Sequence, residues 1–148
     1  MSRALPPAPT WTFGPVTRTD IVRYQGASGD FNPIHHDDGF AQAAGYPGAF
    51  SPGMFQAGLL ASYASTWLGA KNLRSYRVRF REQVWPGDTL HFSGSITQVS
   101  DDADAVRALV AVECRRQTGA PAVTATARFE ISTHPMVGDV QPPSKENG

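Results

Sequence analysis

Gly53-Met54-Phe55-Gln56-Ala57-Gly58-Leu59-Leu60-Ala61-Ser62-Tyr63-Ala64-Ser65-Thr66-Trp67-Leu68 is a run of sixteen residues without a proline or a charged side chain. Its large side chains, Met54, Phe55, Leu59, Leu60, Tyr63 and Trp67, spread around a helical projection instead of forming one stripe, which predicts a helix buried on almost every side. Ala57, Gly58, Ala61 and Ala64 leave room for surrounding backbone to come close. The run is too short, and too interrupted by Ser and Thr, for a membrane span. A helix of this kind has to be wrapped by something, and the sequence on its C-terminal side indicates what.

After Lys71 the apolar period changes to two. Tyr76, Val78 and Phe80 alternate with Ser75, Arg77, Arg79 and Arg81, and Leu90, Phe92, Gly94 and Ile96 form a second set. Val106, Ala108, Val110, Val112 and Cys114 make a third, and Val123, Ala125, Ala127, Phe129 and Ile131 a fourth. Each set predicts a strand with one face toward a core. Pro86-Gly87-Asp88, Ser100-Asp101-Asp102 and Thr118-Gly119-Ala120 carry turn chemistry suited to short antiparallel links, so a meander is expected. The fold class that follows is α+β, a curved antiparallel sheet wrapped around a long buried central helix.

On the N-terminal side, Thr17 or Thr19 is placed to cap a short helix running to about Ala27, which Gly29 ends. Asp30 to Asp37 contains Asn32-Pro33; proline drives the residue before it out of the helical region, which predicts an ordered loop. A shorter helix over Asp38 to Ala44 follows, and Gly45, Pro47, Gly48 and Pro52 punctuate the next loop. Residues 1–9 and 133–148 are rich in proline, glycine and polar side chains and are expected to be flexible tails around one domain at 10–132.

The 148 residues suffice for one domain with a real core, so one site is sought. Thirteen basic and thirteen acidic side chains balance, which gives no general pull toward nucleic acid or an anionic membrane surface. The single cysteine, Cys114, excludes an internal disulfide and a cysteine zinc site and fits a reducing compartment. With no apolar run of signal or membrane-spanning length, a cytoplasmic protein is expected.

Asp30 and His35 lie five residues apart in a loop stiffened by Gly29 and Pro33. A carboxylate and an imidazole facing one small volume can handle two protons. Adding water across a double bond conjugated to a thioester needs a base for the water, an acid for the α-carbon and donors for the enolate oxygen. The first two tasks suit the pair. The third suits backbone N–H groups where the uncharged helix begins, at Gly53, whose missing side chain admits a carbonyl oxygen. On spacing alone, an Asx turn beside a solvated histidine accounts for the same residues, and more often.

The string Gly29-Asp30-Phe31-Asn32-Pro33-Ile34-His35, preceded by Tyr24 and Ser28 and followed by Asp37 and Phe40, resembles the hydratase motif of the MaoC-like family, the (R)-specific enoyl-CoA hydratases and related dehydratases. The resemblance extends over Phe13 to Ile131, with its diagnostic part in residues 24–53, and Trp85 to Asp88 is similar to a turn the family uses after its first long strand. It implies the hot dog fold and a homodimer with active sites near the subunit interface. It further implies Asp30 and His35 as the catalytic pair, Asn32 as their support and Gly53 as the amide for the thioester oxygen. The usual His-Gly-Met is replaced by Pro52-Gly53-Met54, which removes an N–H and a polar side chain at that lip. The implied reaction is syn hydration of a trans-2-enoyl thioester of coenzyme A or acyl carrier protein to the (R)-3-hydroxyacyl thioester, with no cofactor beyond coenzyme A as part of the substrate.

Other residues admit two readings. Tyr46 and Phe50, in the loop before Gly53, divide evenly between an acyl pocket and plain core packing, whereas for Phe55 and Trp67 core packing is favoured. Arg74, Arg77, Arg79 and Arg81 suit a solvated strand face, or Arg77 and Arg79 meet the phosphates of coenzyme A. His36 beside His35 does not make a metal site, because neighbouring residues rarely ligate one ion unaided, and no metal is expected. Two alternatives to an autonomous hydratase stand: a structural or acyl-thioester-binding subunit of a heteromeric dehydratase, and a thioesterase. The second is disfavoured because such enzymes commonly carry an acid on the long helix, and residues 53–68 hold none.

Overall fold

The computed structural model describes residues 4–133. It orders the chain as strand β1 (Trp11–Phe13), helices α1 (Arg18–Ser28), α2 (Asp38–Ala43) and α3 (Gly53–Leu68), then strands β2 (Leu73–Phe80), β3 (Leu90–Asp101), β4 (Ala105–Arg116) and β5 (Pro121–Ser132). Single 3₁₀ turns at Pro33–His35 and Ala70–Asn72 complete the path. The C-terminal tail expected from Thr133 onward lies, except for Thr133, outside the described residues, as do residues 1–3.

Helix α3 occupies the uncharged run, and Ala57, Leu60, Tyr63, Ala64, Trp67 and Leu68 are buried against the sheet. Burial is not complete around it. Met54, Gly58, Ser62 and Thr66, four apart along the helix, face outward, and three of the four have little apolar surface to hide. The sheet is antiparallel with strand order β1-β3-β4-β5-β2, and its inner faces carry the expected alternation: Leu90 and Phe92 on β3, Val106 to Cys114 on β4, Val123 to Phe129 on β5. This is the hot dog fold.

The strand order and the N-terminal segment differ from expectation. The strands do not run as a simple meander: β3, β4 and β5 are joined by tight links, but β2 pairs with β5, Tyr76 opposite Ala127 and Val78 opposite Ala125. The Pro86-Gly87-Asp88 turn therefore belongs to a crossover. It closes on itself, Trp85 N–H donating to the Asp88 carboxylate at 2.8 Å, and it is tied to the N-terminal segment by Val16 N–H to Asp88 C=O at 2.8 Å. Strand β1, only three residues long and so without a readable period, pairs with β3, Trp11 opposite Phe92. Finally, residues 4–9 do not hang free. The indole N–H of Trp67 donates to Pro6 C=O at 2.8 Å and the Tyr63 hydroxyl to Pro9 C=O at 2.7 Å, while Leu5 and Ala8 pack on the core.

Gly94 shows how tightly the sheet sits on the helix. A Cβ there would lie 2.8 Å from the Trp67 ring and 3.1 Å from Val112 Cγ1, with Tyr63 behind them, and none of these buried groups can swing into solvent. Gly94→Ala should therefore overpack the core and lower stability by about 1–3 kcal/mol in denaturant titration. A melt unchanged from wild type would show that the helix can back away from β3.

Candidate active site

Helix α1 starts at a reciprocal cap: the Thr17 hydroxyl accepts from Asp20 N–H at 3.0 Å and the Asp20 carboxylate accepts from Thr17 N–H at 2.8 Å. It ends at Gly29, whose φ of 75° lies in the left-handed region that glycine tolerates. That reversal delivers Asp30 into the loop. The stretch expected as irregular contains one 3₁₀ turn, because the Asn32 side-chain oxygen accepts from Ile34 N–H at 3.1 Å and Pro33 opens the turn without needing a donor. Gln25 pins the loop from below. Buried at 2% exposure, its amide donates to Asp30 C=O at 2.9 Å and Asn32 C=O at 3.2 Å, and its oxygen accepts from His36 Nδ1 at 3.1 Å. His36 is thereby part of the loop's support.

His35 Nδ1 lies 2.7 Å from Phe50 C=O. A carbonyl only accepts, so Nδ1 carries the proton, and in the neutral ring the lone pair sits on Nε2. Nε2 faces Asp30 Oδ2 at 3.8 Å, while Oδ1 accepts from Asn32 N–H at 3.3 Å. The gap is too long for a direct hydrogen bond, yet one water at the usual distance of about 2.8 Å from each group spans it. The His35 side chain is 11% exposed and that of Asp30 45%, so the imidazole is held in a fixed orientation while the carboxylate reaches solvent. The sequence-predicted pair is thus brought together, with Asn32 beside it.

Gly53 is the first residue of α3 and Pro52 its N-cap, which offers no side-chain hydrogen bond. Among the described residues the Gly53 and Met54 N–H groups have no hydrogen-bond partner, so two donors and the positive end of the helix dipole remain available. The Phe80 ring lies over this point: a Cβ on Gly53 would be 2.9 Å from its edge. Phe80 was expected on the core face of its strand, but it is 53% exposed, because it sits beyond the helix start, over Gly53. Phe50, Ser51, Gly53, Gln56, Phe80 and Arg81 are among the residues lining a cavity of about 220 Å³ here. Phe50 joins this cavity to Asp30 and His35 through its carbonyl and its ring, 5.3 Å from the His35 ring centre.

Tyr46 and Trp85 flank Phe50, with ring centroids 4.7 Å and 5.6 Å away, so the expected aromatic pair is part of a three-ring cluster at the histidine. Arg77 and Arg79 stand exposed on β2, opposite Thr126 and Thr124, and do not line the Gly53 cavity; Arg81 does. Sequence reading passed over Gln25 and Gln56. Each carries a quiet signal, a polar residue four positions from an apolar partner on a buried helix face, Ile21 for the first and Leu60 for the second.

A sheet wrapped on a buried helix, with an Asp/His loop beside the helix mouth, defines a hot dog protein. Residues 10–117 match the MaoC like domain, and the chain belongs to that family of hydratases and dehydratases. It is 32% identical over 114 residues to the 3-oxo-4,17-pregnadiene-20-carboxyl-CoA hydratase beta subunit of Mycobacterium tuberculosis, covering 76% of this chain and 84% of that protein. It is 38% identical over 78 residues to 3-hydroxyacyl-thioester dehydratase Y of the same organism, covering 50% of this chain but 27% of the relative. Among solved structures, the ChsH1-ChsH2 complex of M. tuberculosis superposes with a TM-score of 0.75 at 29% identity, over 88% of this chain and 99% of that one. The (R)-hydratase of A. caviae shares the fold, with a TM-score of 0.74 at 22% identity, over 88% of this chain and 99% of that one. Among the described residues no helix is long and apolar enough to cross a membrane.

Proposed function

We propose that this chain is a hydro-lyase that reversibly hydrates a trans-2-enoyl thioester to an (R)-3-hydroxyacyl thioester, acting as a cytoplasmic homodimer. The observation that carries the proposal is the 2.7 Å contact from His35 Nδ1 to Phe50 C=O, which turns Nε2 toward Asp30. Asp30 and His35 hold one water. As its oxygen bonds to the β-carbon, one O–H bond breaks and the pair takes that proton. The electrons of the double bond move onto the thioester oxygen as an enolate, which the N–H groups at Gly53 stabilise. Return of a proton to the α-carbon completes the addition, and the reverse sequence is dehydration. The pair acts as a unit, so the two transfers are assigned to it jointly. Tyr46 and Phe50 face the acyl group in this proposal, Asn32 steadies the loop, and Arg77 and Arg79 meet the phosphates when the carrier is coenzyme A.

The test is an assay of the purified chain on crotonyl-, medium-chain and ring-bearing enoyl-CoA, following absorbance of the conjugated thioester alongside release of free thiol. Loss of the conjugated absorbance without thiol is the expected result; thiol release would make the protein a thioesterase. A second reading is favoured by two similarities, to a hydratase beta subunit and to a chain of a two-component complex. In it, the chain completes its pocket only beside a related subunit. Inactivity alone, with activity restored by a co-expressed related chain, would select that reading.

A further inference from the structure

Gln56 is 1% exposed and lies one helical turn after Gly53, on the same side of α3. Side chains on a helix lean toward its N-terminus, which carries the Gln56 amide back toward the Gly53 N–H. Its oxygen is occupied: the Ser51 hydroxyl, on a residue also 1% exposed, donates to Gln56 Oε1 at 2.7 Å, a separation characteristic of O–H···O bonds. That fixes the orientation of the amide and leaves Nε2 as the other end. Among the described residues Nε2 has no hydrogen-bond partner, and no buried side-chain nitrogen or oxygen there is both sealed and unpartnered. Nε2 is therefore open to the cavity that Gln56 and Gly53 line together. Buried amide groups are almost always hydrogen-bonded, so a donor held ready in this way calls for an acceptor from outside the chain.

We propose that Gln56 is a substrate-binding residue whose side-chain N–H₂ donates to the carbonyl oxygen of a bound acyl thioester, beside the Gly53 N–H. The proposal rests on the hydratase reading for the identity of the ligand. The cavity wall favours a neutral acceptor over an anion, since Arg81 and Glu82 line it together and offset each other. A carbonyl that gains negative charge during the reaction fits two fixed neutral donors at a helix start. Ser51 holds the amide in place, so little reorganisation accompanies binding.

The experiment compares butyryl-CoA with S-butyl-CoA, in which a methylene replaces the carbonyl, by titration calorimetry on the full chain. Wild type should prefer the thioester. Gln56→Met, close in volume, should reduce that preference about tenfold, the worth of one hydrogen bond, while its affinity for S-butyl-CoA stays unchanged. Gln56→Glu retains an acceptor for Ser51 and removes the donor, so it should lose the preference as well, and it serves should the methionine variant not fold. An undiminished preference in either folded variant overturns the proposal, as does a wild-type chain that does not distinguish the two ligands. Binding also separates this proposal from the reading it rests on. Carbonyl preference that depends on Gln56 in a chain that hydrates nothing upholds the donor and removes the hydratase. Hydration with the preference untouched by both variants does the reverse.

Discussion

Asp30→Asn and His35→Ala should each lower hydration of an enoyl thioester by about 10²–10⁴-fold, the range for loss of a positioned acid/base group. The two variants differ in what else they disturb. In Asp30→Asn the side-chain oxygen can still accept from Asn32 N–H, now 3.3 Å from Oδ1, and the residue is exposed, so its melting temperature should stay near that of wild type. His35→Ala removes the partner of Phe50 C=O and should cost about 1–3 kcal/mol in stability. The double variant should be hardly slower than the slower single one, because groups that serve one water do not lose their effects additively. Single-turnover rates on crotonyl-CoA, with circular dichroism as the control for folding, check all three. Purified Asp30→Asn hydrating at a near-wild-type rate would sink the assignment of the pair.

Much of this molecule is legible in its sequence. The uncharged run 53–68 had to be a wrapped helix, and the period-two sets after Lys71 had to be the wrapping, because apolar spacing follows directly from which faces are buried. Pairing order was not legible. Nothing local distinguishes a β2 that pairs with β3 from one that pairs with β5, since either partner is antiparallel and the one chosen lies some fifty residues further along the chain. Phe80 misled for a related reason: its parity matched the core face, but the strand outruns the helix at that point. At the site, the Gly-Asp-Phe-Asn-Pro-Ile-His string singled out Asp30 and His35 by resemblance, whereas spacing alone left them open. Of the supports, Gln25 left only its quiet signal beside Ile21, whereas the Phe50 carbonyl and Trp85 were beyond reach because they come from separate segments and the first acts through a backbone atom, which no side-chain pattern encodes.

Asp88 should matter more to stability than any other side chain outside the apolar core. It is 4% exposed and its carboxylate gathers four donors: Trp85 N–H at 2.8 Å, Arg116 Nε at 2.7 Å, Arg116 Nη2 at 3.2 Å and Gln117 Nε2 at 2.8 Å. Asp88→Ala leaves the largely buried Arg116 with only the longer contact to Glu82, at 3.4 Å, and frees the turn that carries Trp85 against Phe50. A loss of about 3 kcal/mol is expected in urea titration, the low end for breaking a buried pair because Arg116 is still 18% exposed. The same residue should set an acid limit. Burial by itself would push the Asp88 carboxyl up, but the bonds from Arg116, Trp85 N–H and Gln117 outweigh it and hold the carboxyl below its usual value. A group lowered in the folded state contributes fully above its unfolded pKa of about 4 and loses that contribution as the pH falls through its folded value. Stability of the wild type should therefore drop as the pH falls below about 4, and part of that slope should be missing in Asp88→Asn. Asp20 and Asp38, also held low by their hydrogen bonds, titrate in both proteins, so the difference between the two curves isolates Asp88. Parallel curves through that range would mean that the Asp88 charge contributes nothing, and that the turn is held by the shape of its hydrogen bonds alone.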